Sequence, residues 1–253
     1  MIEFTMSLSG VTIGVSAMHE SVLRHCCQYL VEEEAVIKVK SSFEDIAYER
    51  EKSAREDRLQ GIPIRKHAEE DLESAALQRK IVEAFYAYDI LLFHGSVIAV
   101  DDQAYLFTAK SGTGKSTHTR LWREMLGERA VMVNDDKPFL QIKEDKVLVW
   151  GSPWNGKHKL GTNICVPLKA ICVLERGEEN VIRPISAVEA LPMLMQQSQR
   201  PQKPENFPKY MELIDQLAGK TAFYRMACNM DPQAAEVAYR AMSREGKEEN
   251  YED

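Results

Sequence analysis

The chain has 253 residues, 44% hydrophobic and 28% charged, which is long enough to bury a sizeable core and argues against a largely disordered or fibrous protein. Its net charge of −7 argues against a broad nucleic-acid surface, because such a surface needs clustered positive charge to replace the counterions of a phosphate backbone. No apolar run approaches the ~20 residues of a membrane helix and the first residues lack a signal-peptide pattern, so we expect a cytoplasmic protein without nucleic-acid or membrane partners.

Residues 1–88 predict a small α+β region. Within it, residues 3–15 alternate between apolar and polar types and predict a strand pair that turns near Gly10, while residues 34–40 predict a further strand. Residues 19–30, between these strands, predict a short helix.

Two longer helices are predicted in the same region. Residues 44–58 carry ten charges and predict a charged helical arm, either a solvated helix or a mobile segment. Residues 68–88 place apolar residues at helical spacing and predict a helix that leads into the next unit. We assign residues 89–243 to that second unit, in which short strands surround a helix, and residues 244–253 to a disordered tail.

Residues 109–117, AKSGTGKST, predict a loop that binds the phosphates of a nucleotide. The apolar strand 104–108 precedes the loop and a helix that ends near Gly127 follows it, which is the context that such a loop requires. Its glycines allow left-handed backbone angles, so that successive N–H groups converge on the phosphates at the positive end of the helix. The residues expected to bind ATP are Ser111, Gly112, Thr113, Gly114, Lys115, Ser116 and Thr117.

Two side chains of this loop have specific expected roles. Lys115 supplies a point charge to the outer phosphates, and Ser116 supplies a hydroxyl ligand to Mg²⁺. Ala109, another small residue, stands where the usual pattern begins with glycine. The expected buried stripe of the helix after the loop consists of Leu121, Trp122 and Met125.

Residues 131–134 predict a short strand that ends in Asp135 and Asp136. If this strand lies parallel to strand 104–108, both carboxylates flank the phosphates at one edge of the sheet. One can then hold Mg²⁺ while the other accepts a proton from an attacking hydroxyl, unless the pair belongs to an ordinary turn. We name Ser116 and Asp136 as candidate metal ligands, although the sequence leaves open which aspartate binds the metal.

A hairpin that turns at residues 101–102 brings a histidine to the loop. Counting back from the turn sets His94 opposite Ala109, or opposite Lys110 if the turn is one residue longer. In either register the imidazole could assist proton transfer or orient a carboxylate, and the alternative is a histidine that only satisfies a strand end.

A second hairpin, with its turn at residues 144–145, pairs Phe139 with Trp150 and returns the following loop to the aspartates. This loop places a basic group, Lys157 or Lys159, near the equatorial oxygens of a transferred phosphoryl group, although either lysine could instead be solvated. Trp154 either stacks on a base or packs. The polar residues expected within reach of the phosphates are Asn155, Lys157, His158 and Lys159.

The remaining elements of the second unit surround a proline-rich segment. Ser186 resembles the first residue of a capping box and predicts a helix that Pro192 should kink or interrupt. Residues 200–208 contain three prolines and predict a stiff surface loop, a candidate lid. Residues 221–228 predict a strand, and residues 231–242 predict a helix that begins with Asp-Pro.

Three short motifs, HGS at 94–96, SGTGKST at 111–117 and NDD at 134–136, resemble the catalytic domain of the HPr kinase/phosphorylase family over roughly residues 90–175. The resemblance implies an α/β P-loop kinase domain with a central mixed sheet, related to that of ATP-dependent phosphoenolpyruvate carboxykinases. In that family phosphate passes from ATP to a serine hydroxyl of a carrier protein. The residues that this assigns to nucleotide and Mg²⁺ binding or to the reacting group are Lys115, Ser116, Asp135, Asp136 and His94.

The chain departs from the family pattern outside these motifs. Thr117 replaces the glutamate typical of the HPr kinases, the basic loop at 155–163 differs from their third motif, and residues 1–88 do not resemble their N-terminal domain. The expected acceptor is therefore a serine of a protein or peptide, or a small hydroxyl compound, and an oligomer is left open. The alternative function is a P-loop ATPase or a nucleotide-sensing protein without a phosphoacceptor.

Overall fold

The computed structural model describes residues 1–110 and 112–244, which form a mixed α/β fold with two sheets. The predicted tail beyond residue 244 and the loop residue Ser111 lie outside the described residues. No helix in the described ranges combines the length and the apolar character needed to cross a membrane.

The first sheet has three strands in the order β1 (Ile2–Leu8), β2 (Val11–Ala17) and β3 (Ile37–Lys40). The first two are antiparallel and β3 is parallel to β2. The predicted turn between β1 and β2 is confirmed, and both of its residues, Ser9 and Gly10, have positive φ. Such angles fit a tight hairpin whose twist matches its strands.

Three helices belong to the same part of the chain, namely α1 (Glu20–His25), α2 (Phe43–Leu59) and α3 (Glu69–Phe85). The charged segment is a helix and packs against α3, so it is not a mobile arm. Its acidic residue Glu49 is buried and accepts a hydrogen bond of 2.5 Å from Nε of Arg79. Buried ion pairs between helices thus account for charges that the sequence alone assigned to solvent.

A buried carboxylate fastens α3 to the first sheet. Glu73 has no exposed surface and accepts hydrogen bonds from the backbone N–H groups of Met18 and His19, from the ring of His19 and from the hydroxyl of Ser41. Burial raises the pKa of this carboxyl, but the hydrogen bonds outweigh burial and hold the pKa below its ordinary value of 4.5. The ionised form therefore stabilises the fold.

We expect Glu73→Gln to lower the free energy of unfolding by about 2 kcal/mol at pH 7, because the amide NH₂ would face hydrogen-bond donors. The folded pKa is the lower one, so the wild-type advantage is complete above pH 4.5 and is lost as the pH falls through the folded value. Urea unfolding between pH 7 and pH 3 measures this, with the exposed Glu70→Gln on the same helix as the control. An equal loss in both variants would contradict the assignment.

Within the described residues, the second sheet has nine strands. They are β4 (Ile90–Leu92), β5 (Ser96–Val100), β6 (Gln103–Thr108), β7 (Ala130–Asn134), β8 (Phe139–Ile142), β9 (Val147–Trp150), β10 (Cys165–Arg176), β11 (Val181–Ile185) and β12 (Ala222–Cys228). The order is β4-β8-β9-β10-β6-β5-β7, with β12 also paired to β10 and β11 paired to β12.

Four strands of this sheet end at one edge. Strands β6 and β12 both lie parallel to β10. Strand β5 is antiparallel to both β6 and β7, so β6 and β7 run in the same direction with β5 between them. The parallel direction of β6 and β7, on which the placement of the aspartates depended, is therefore met, although the two strands are not neighbours. In open α/β sheets ligands bind at the carboxyl ends of strands, which makes this edge the place to look for a site.

The helices of the second part are α4 (Lys115–Leu126), α5 (Ala187–Gln197), α6 (Phe207–Lys220) and α7 (Gln233–Met242). Helix α5 continues through Pro192, so of the two expected effects the interruption is wrong and the kink stays a prediction. The carbonyl that loses its partner belongs to Val188, whose side chain is 82% exposed, and water can satisfy it there. The expected loop at 200–208 is shorter, because α6, which the sequence did not predict, begins at Phe207.

The central strands are covered on both faces. Ile98, Phe107 and Trp122 belong to a cluster with α4 and α7, while alternate residues such as Val97 and Leu106 belong to a larger cluster. That larger cluster also contains residues of the first sheet, and the division of the chain at residue 88 stays a prediction. On α4 the predicted stripe is wrong at Met125, which is 38% exposed, and the buried face uses His118 and Thr119 instead.

Candidate functional site

The loop between β6 and α4 has the backbone that a phosphate-binding loop needs. Gly112 and Gly114 have φ values of 76° and 118°, the left-handed region that favours glycine. A Cβ at either position would meet no atom within 4 Å, so the conformation and not crowding requires glycine, and the space beside the loop is open. Arg176, the last residue of β10, donates a hydrogen bond of 2.7 Å to the carbonyl of Gly112 and holds the loop to the sheet edge.

Lys115 begins α4 with a half-buried side chain. Its Nζ lies 3.3 Å from the carbonyl oxygen of Ala109. Burial lowers the pKa of this lysine, the charge of Asp136 opposes that shift, and the charge of Lys137 adds to it. The ammonium group is thus partly desolvated and close to a carboxylate, an arrangement that suits a bound anion.

The two aspartates after β7 have different partners. Asp135 is 6% exposed and accepts a hydrogen bond of 2.5 Å from the N–H of Gly156, where an added Cβ would lie 2.8 Å from the carboxylate. It lines a cavity of about 410 Å³ together with Ser116 and His158. The hydroxyl of Ser116 and this carboxylate therefore face one space.

Asp136 pairs with the histidine instead. Its Oδ1 lies 3.3 Å from Nε2 of His94. Burial raises the pKa of Asp136, but His94, Lys137 and Lys115 together outweigh burial and lower it. The result is an ionised carboxylate surrounded by basic groups, next to the lysine of the loop.

His94 lies where the shorter of the two predicted registers put it. Strand β5 pairs Ser96 with Phe107, and this register sets His94 opposite Ala109. The hydroxyl of Thr108 donates to the His94 carbonyl at 3.0 Å, and the His94 N–H donates to the carbonyl of Gln197 at 2.7 Å. The backbone of this histidine is therefore held on both sides.

Asn134 organises the aspartate turn. This residue has no exposed surface, and its Oδ1 accepts hydrogen bonds from the N–H groups of Asp136 at 2.8 Å and Lys137 at 2.6 Å. Its Nδ2 donates to the carbonyl of Ser152 at 3.2 Å. The side chain thus joins the end of β7 to the loop after β9, a role that the sequence reasoning did not assign.

We expect Asn134→Ala to lower the free energy of unfolding by about 2–4 kcal/mol, because it leaves several buried donors and acceptors without partners. Urea unfolding measures the loss. Asn163→Ala is the matched control, since that exposed asparagine donates only to the carbonyl of Gln28. A cost below about 0.5 kcal/mol for Asn134→Ala would show that water replaces these bonds.

The loop after β9 returns to this edge, as the confirmed pairing of Phe139 with Trp150 requires. Trp154 packs, which was one of the two alternatives. Its ring makes an edge contact with Phe139 at 6.2 Å between centroids, and its Nε1 donates to the hydroxyl of Ser74 at 3.1 Å. Asn155 donates to the carbonyl of Ser152 at 3.0 Å and shapes the loop.

The basic residues of this loop lie in different surroundings. His158 lines the cavity that contains Ser116 and Asp135. Lys159, with φ of 48°, lines another cavity beside α1 and α3 with His25 and Asp71, and Lys157 is exposed. The structure thus brings His158 and Ser116 together and places Lys159 in different surroundings. The catalytic roles of Lys157 and Lys159 stay predictions.

Two basic residues of this edge were missed by the sequence reasoning. Lys137 follows the aspartates directly, and Arg176 ends β10 beside the loop between β6 and α4. The position of Lys137 in the run NDDK was a signal that could have been used. Arg176 gave no local signal, because only the parallel pairing of β10 with β6 brings it to the loop.

A second cavity adjoins the loop on the side of β10 and β12. It measures about 500 Å³, and Gly112, His118, Arg176 and Met230 are among the residues that line it. His118 is buried, and burial lowers its pKa to about 4. Its Nε2 accepts from Trp122, while its Nδ1 has no hydrogen-bond partner in the described ranges. The ring is therefore neutral, and its Nδ1 is a buried donor without a protein partner in the described ranges.

These features allow a test of whether a magnesium nucleotide fits. The described residues contain no group of three or more His, Cys, Asp or Glu that could hold a metal ion without help. Magnesium that travels with phosphates needs only one or two carboxylates and keeps several other oxygen ligands. Ser116 and Asp135 provide a hydroxyl and a carboxylate in one cavity, and the open loop glycines provide the concave side, so the residues present fit such a ligand.

Comparison with known proteins gives one family match and structural similarities to solved chains. The family model described as SynChlorMet cassette protein ScmC matches residues 63–241. A search of the curated proteins finds no significant match. Among solved structures, the chain is similar to the Hpr(Ser) kinase/phosphatase from Coxiella burnetii, with 9% identity and a TM-score of 0.36 over 59% of this chain and 95% of that one.

Proposed function

This chain belongs to the family of the SynChlorMet cassette protein ScmC, and we propose that it is an ATP-dependent kinase that transfers the γ-phosphate to a hydroxyl group. One observation carries the proposal: two groups of residues lie at the same sheet edge. Lys115 lies near the Asp136–His94 pair, and Ser116 shares a cavity with Asp135. Phosphoryl transfer requires this combination of positive charge, a metal ligand set and a base.

In this proposal the loop is a P-loop of the HPr kinase-like type. The N–H groups of residues 112–117 and the ammonium of Lys115 bind the phosphates, and the cavity lined by Arg176 and Met230 receives the nucleoside. The unpaired Nδ1–H of His118 lies at the wall of that cavity and supports this orientation of the nucleotide.

The two aspartates take separate roles. Asp135 and Ser116 line the same cavity, so we propose these two residues as the ligands of Mg²⁺. Asp135 thereby takes the place of Asp136, which the sequence suggested as the metal ligand. Bound Mg²⁺ would supply neutralisation of charge on the phosphate oxygens. Asp136 accepts the proton of the attacking hydroxyl, and His94 holds the carboxylate in position.

Labelled ATP distinguishes this function from the alternatives. Purified protein is incubated with ATP carrying a label in the γ-phosphate, Mg²⁺ and an extract of the source cells, and the label is followed. A kinase produces a labelled phosphoester, while an ATPase releases only labelled inorganic phosphate. Nucleotide binding with neither product would leave a nucleotide-sensing protein.

A further inference from the structure

A further cavity, of about 340 Å³, adjoins His94. Its lining includes His94 itself, Lys137, Lys52 from α2, Gln197 at the end of α5, and Arg200 in the segment that follows α5. His94 thus connects this cavity to Asp136, the proposed base, which it contacts at 3.3 Å.

The lining is positively charged. Lys52, Lys137 and Arg200 all contribute, and the described residues that line the cavity include no Asp or Glu. The Nζ of Lys52 lies 3.5 Å from Oε2 of Glu49, and Nε of Arg79 lies 2.5 Å from Oε1 of the same carboxylate. The negative charge of Glu49 is therefore shared between two cations.

Lys137 is the most constrained of these cations. Its side chain is half-buried. Within the described ranges its ammonium group makes no hydrogen bond to a side chain or carbonyl. A partly desolvated cation without a direct partner favours a bound anion.

An unpaired acceptor gives a second and independent indication of a ligand. Gln197 is 9% exposed, and its Oε1 has no hydrogen-bond partner in the part of the chain that the structure describes. Buried polar atoms are nearly always paired, so the exception requires an explanation. A hydroxyl or amino group of a ligand in this cavity would supply the missing donor.

We infer that this cavity binds the phosphoacceptor, and that the acceptor is a small hydroxyl compound that carries a carboxylate or a phosphate group. The inference rests on the proposed kinase function and specifies its substrate class. The three cations bind the anionic group, and Gln197 accepts from a hydroxyl or amino group. A cavity of about 340 Å³ is at the lower end of the range for small-molecule sites, which favours a small acceptor over a protein.

The transfer step balances with the groups named. The acceptor oxygen forms a bond to the γ-phosphorus as the bond from that phosphorus to the β–γ bridging oxygen breaks, and ADP leaves with the electron pair. The acceptor hydroxyl proton passes to the carboxylate of Asp136, and from there to solvent. The cavity also gives residues 1–88 a part in the site, because α2 supplies Lys52.

The first test follows the label into separated acceptor fractions. Cell extract is divided into protein, small molecules retained by an anion exchanger, and small molecules that are not retained. Each fraction is incubated with the full-length protein and γ-labelled ATP. We expect a labelled phosphoester only from the retained small molecules. A labelled phosphoester in the protein fraction or in the unretained small molecules would overturn the inference about the substrate, but it would support the proposed kinase function. Free phosphate alone from every fraction would overturn the kinase proposal itself.

The second test changes the cavity. Arg200→Met and Lys52→Met should each raise the KM for the retained fraction about 10- to 100-fold with a smaller effect on the KM for ATP, because each removes one charge-assisted hydrogen bond. Gln197→Glu, which adds a negative charge, should have the same effect. The exposed Lys146→Met, at the β8–β9 turn, is the matched control.

A binding measurement separates recognition from turnover. The retained fraction without ATP should raise the unfolding temperature of the wild type and of Lys146→Met, and should raise that of Gln197→Glu less. Circular dichroism checks that the variants are folded. Unchanged KM values and equal temperature shifts in all the variants would overturn the assignment of this cavity.

Discussion

Replacing Asp136 with asparagine should lower kcat by about two to four orders of magnitude, the usual effect of removing a positioned general base. Asparagine keeps the shape of the side chain but cannot accept the proton of the attacking hydroxyl. The affinity for ATP, measured by titration calorimetry, should change little, since the loop and Lys115 remain.

Two further substitutions make the Asp136 experiment specific. Asp102→Asn, in the exposed turn between β5 and β6, is the control for removing one negative charge, because asparagine also tolerates the positive φ of 60° found there. Asp135→Asn should instead raise the Mg²⁺ concentration needed for half-maximal activity. If Asp136→Asn retains full transfer and Asp135→Asn loses it, the two roles must be exchanged.

Replacing Lys115 with methionine should lower the transfer rate by about three orders of magnitude, since one preorganised cation at a transferring phosphoryl group has about that effect. Methionine retains most of the buried length of the side chain and removes its charge. The rate of labelled product formation and the affinity for ATP should both fall. Lys220→Met changes another half-buried lysine, at the end of α6, and serves as the control.

Retained turnover in Lys115→Met would remove the loop as the nucleotide site, whatever the result at Asp136. The two experiments are therefore independent in what they can disprove. If Lys115→Met loses transfer activity and Asp136→Asn does not, the loop remains the proposed nucleotide site. The general base must then be His94 or Asp135.

Local features were determined by the sequence itself. The strand, the two left-handed glycines and the helix after them depend on residues close together in the chain, and all were predicted and found. Hairpin register is local too, because turn length determines which residues face each other, and this placed His94 opposite Ala109 and Phe139 opposite Trp150.

Contacts between distant segments were decided only by the tertiary structure. Packing across many residues decides which strand lies between β6 and β7, and it brings Arg176 of β10 to the loop. It also brings Lys52 of α2 and Arg200, which follows α5, into the lining of one cavity with His94. The different surroundings of Asp135 and Asp136 are of this kind, because each carboxylate meets partners from another strand or loop. Local spacing determines which side chains lie on the same face or at the same end of a strand. The packing that buries both faces of the sheet determines which distant residues those side chains contact.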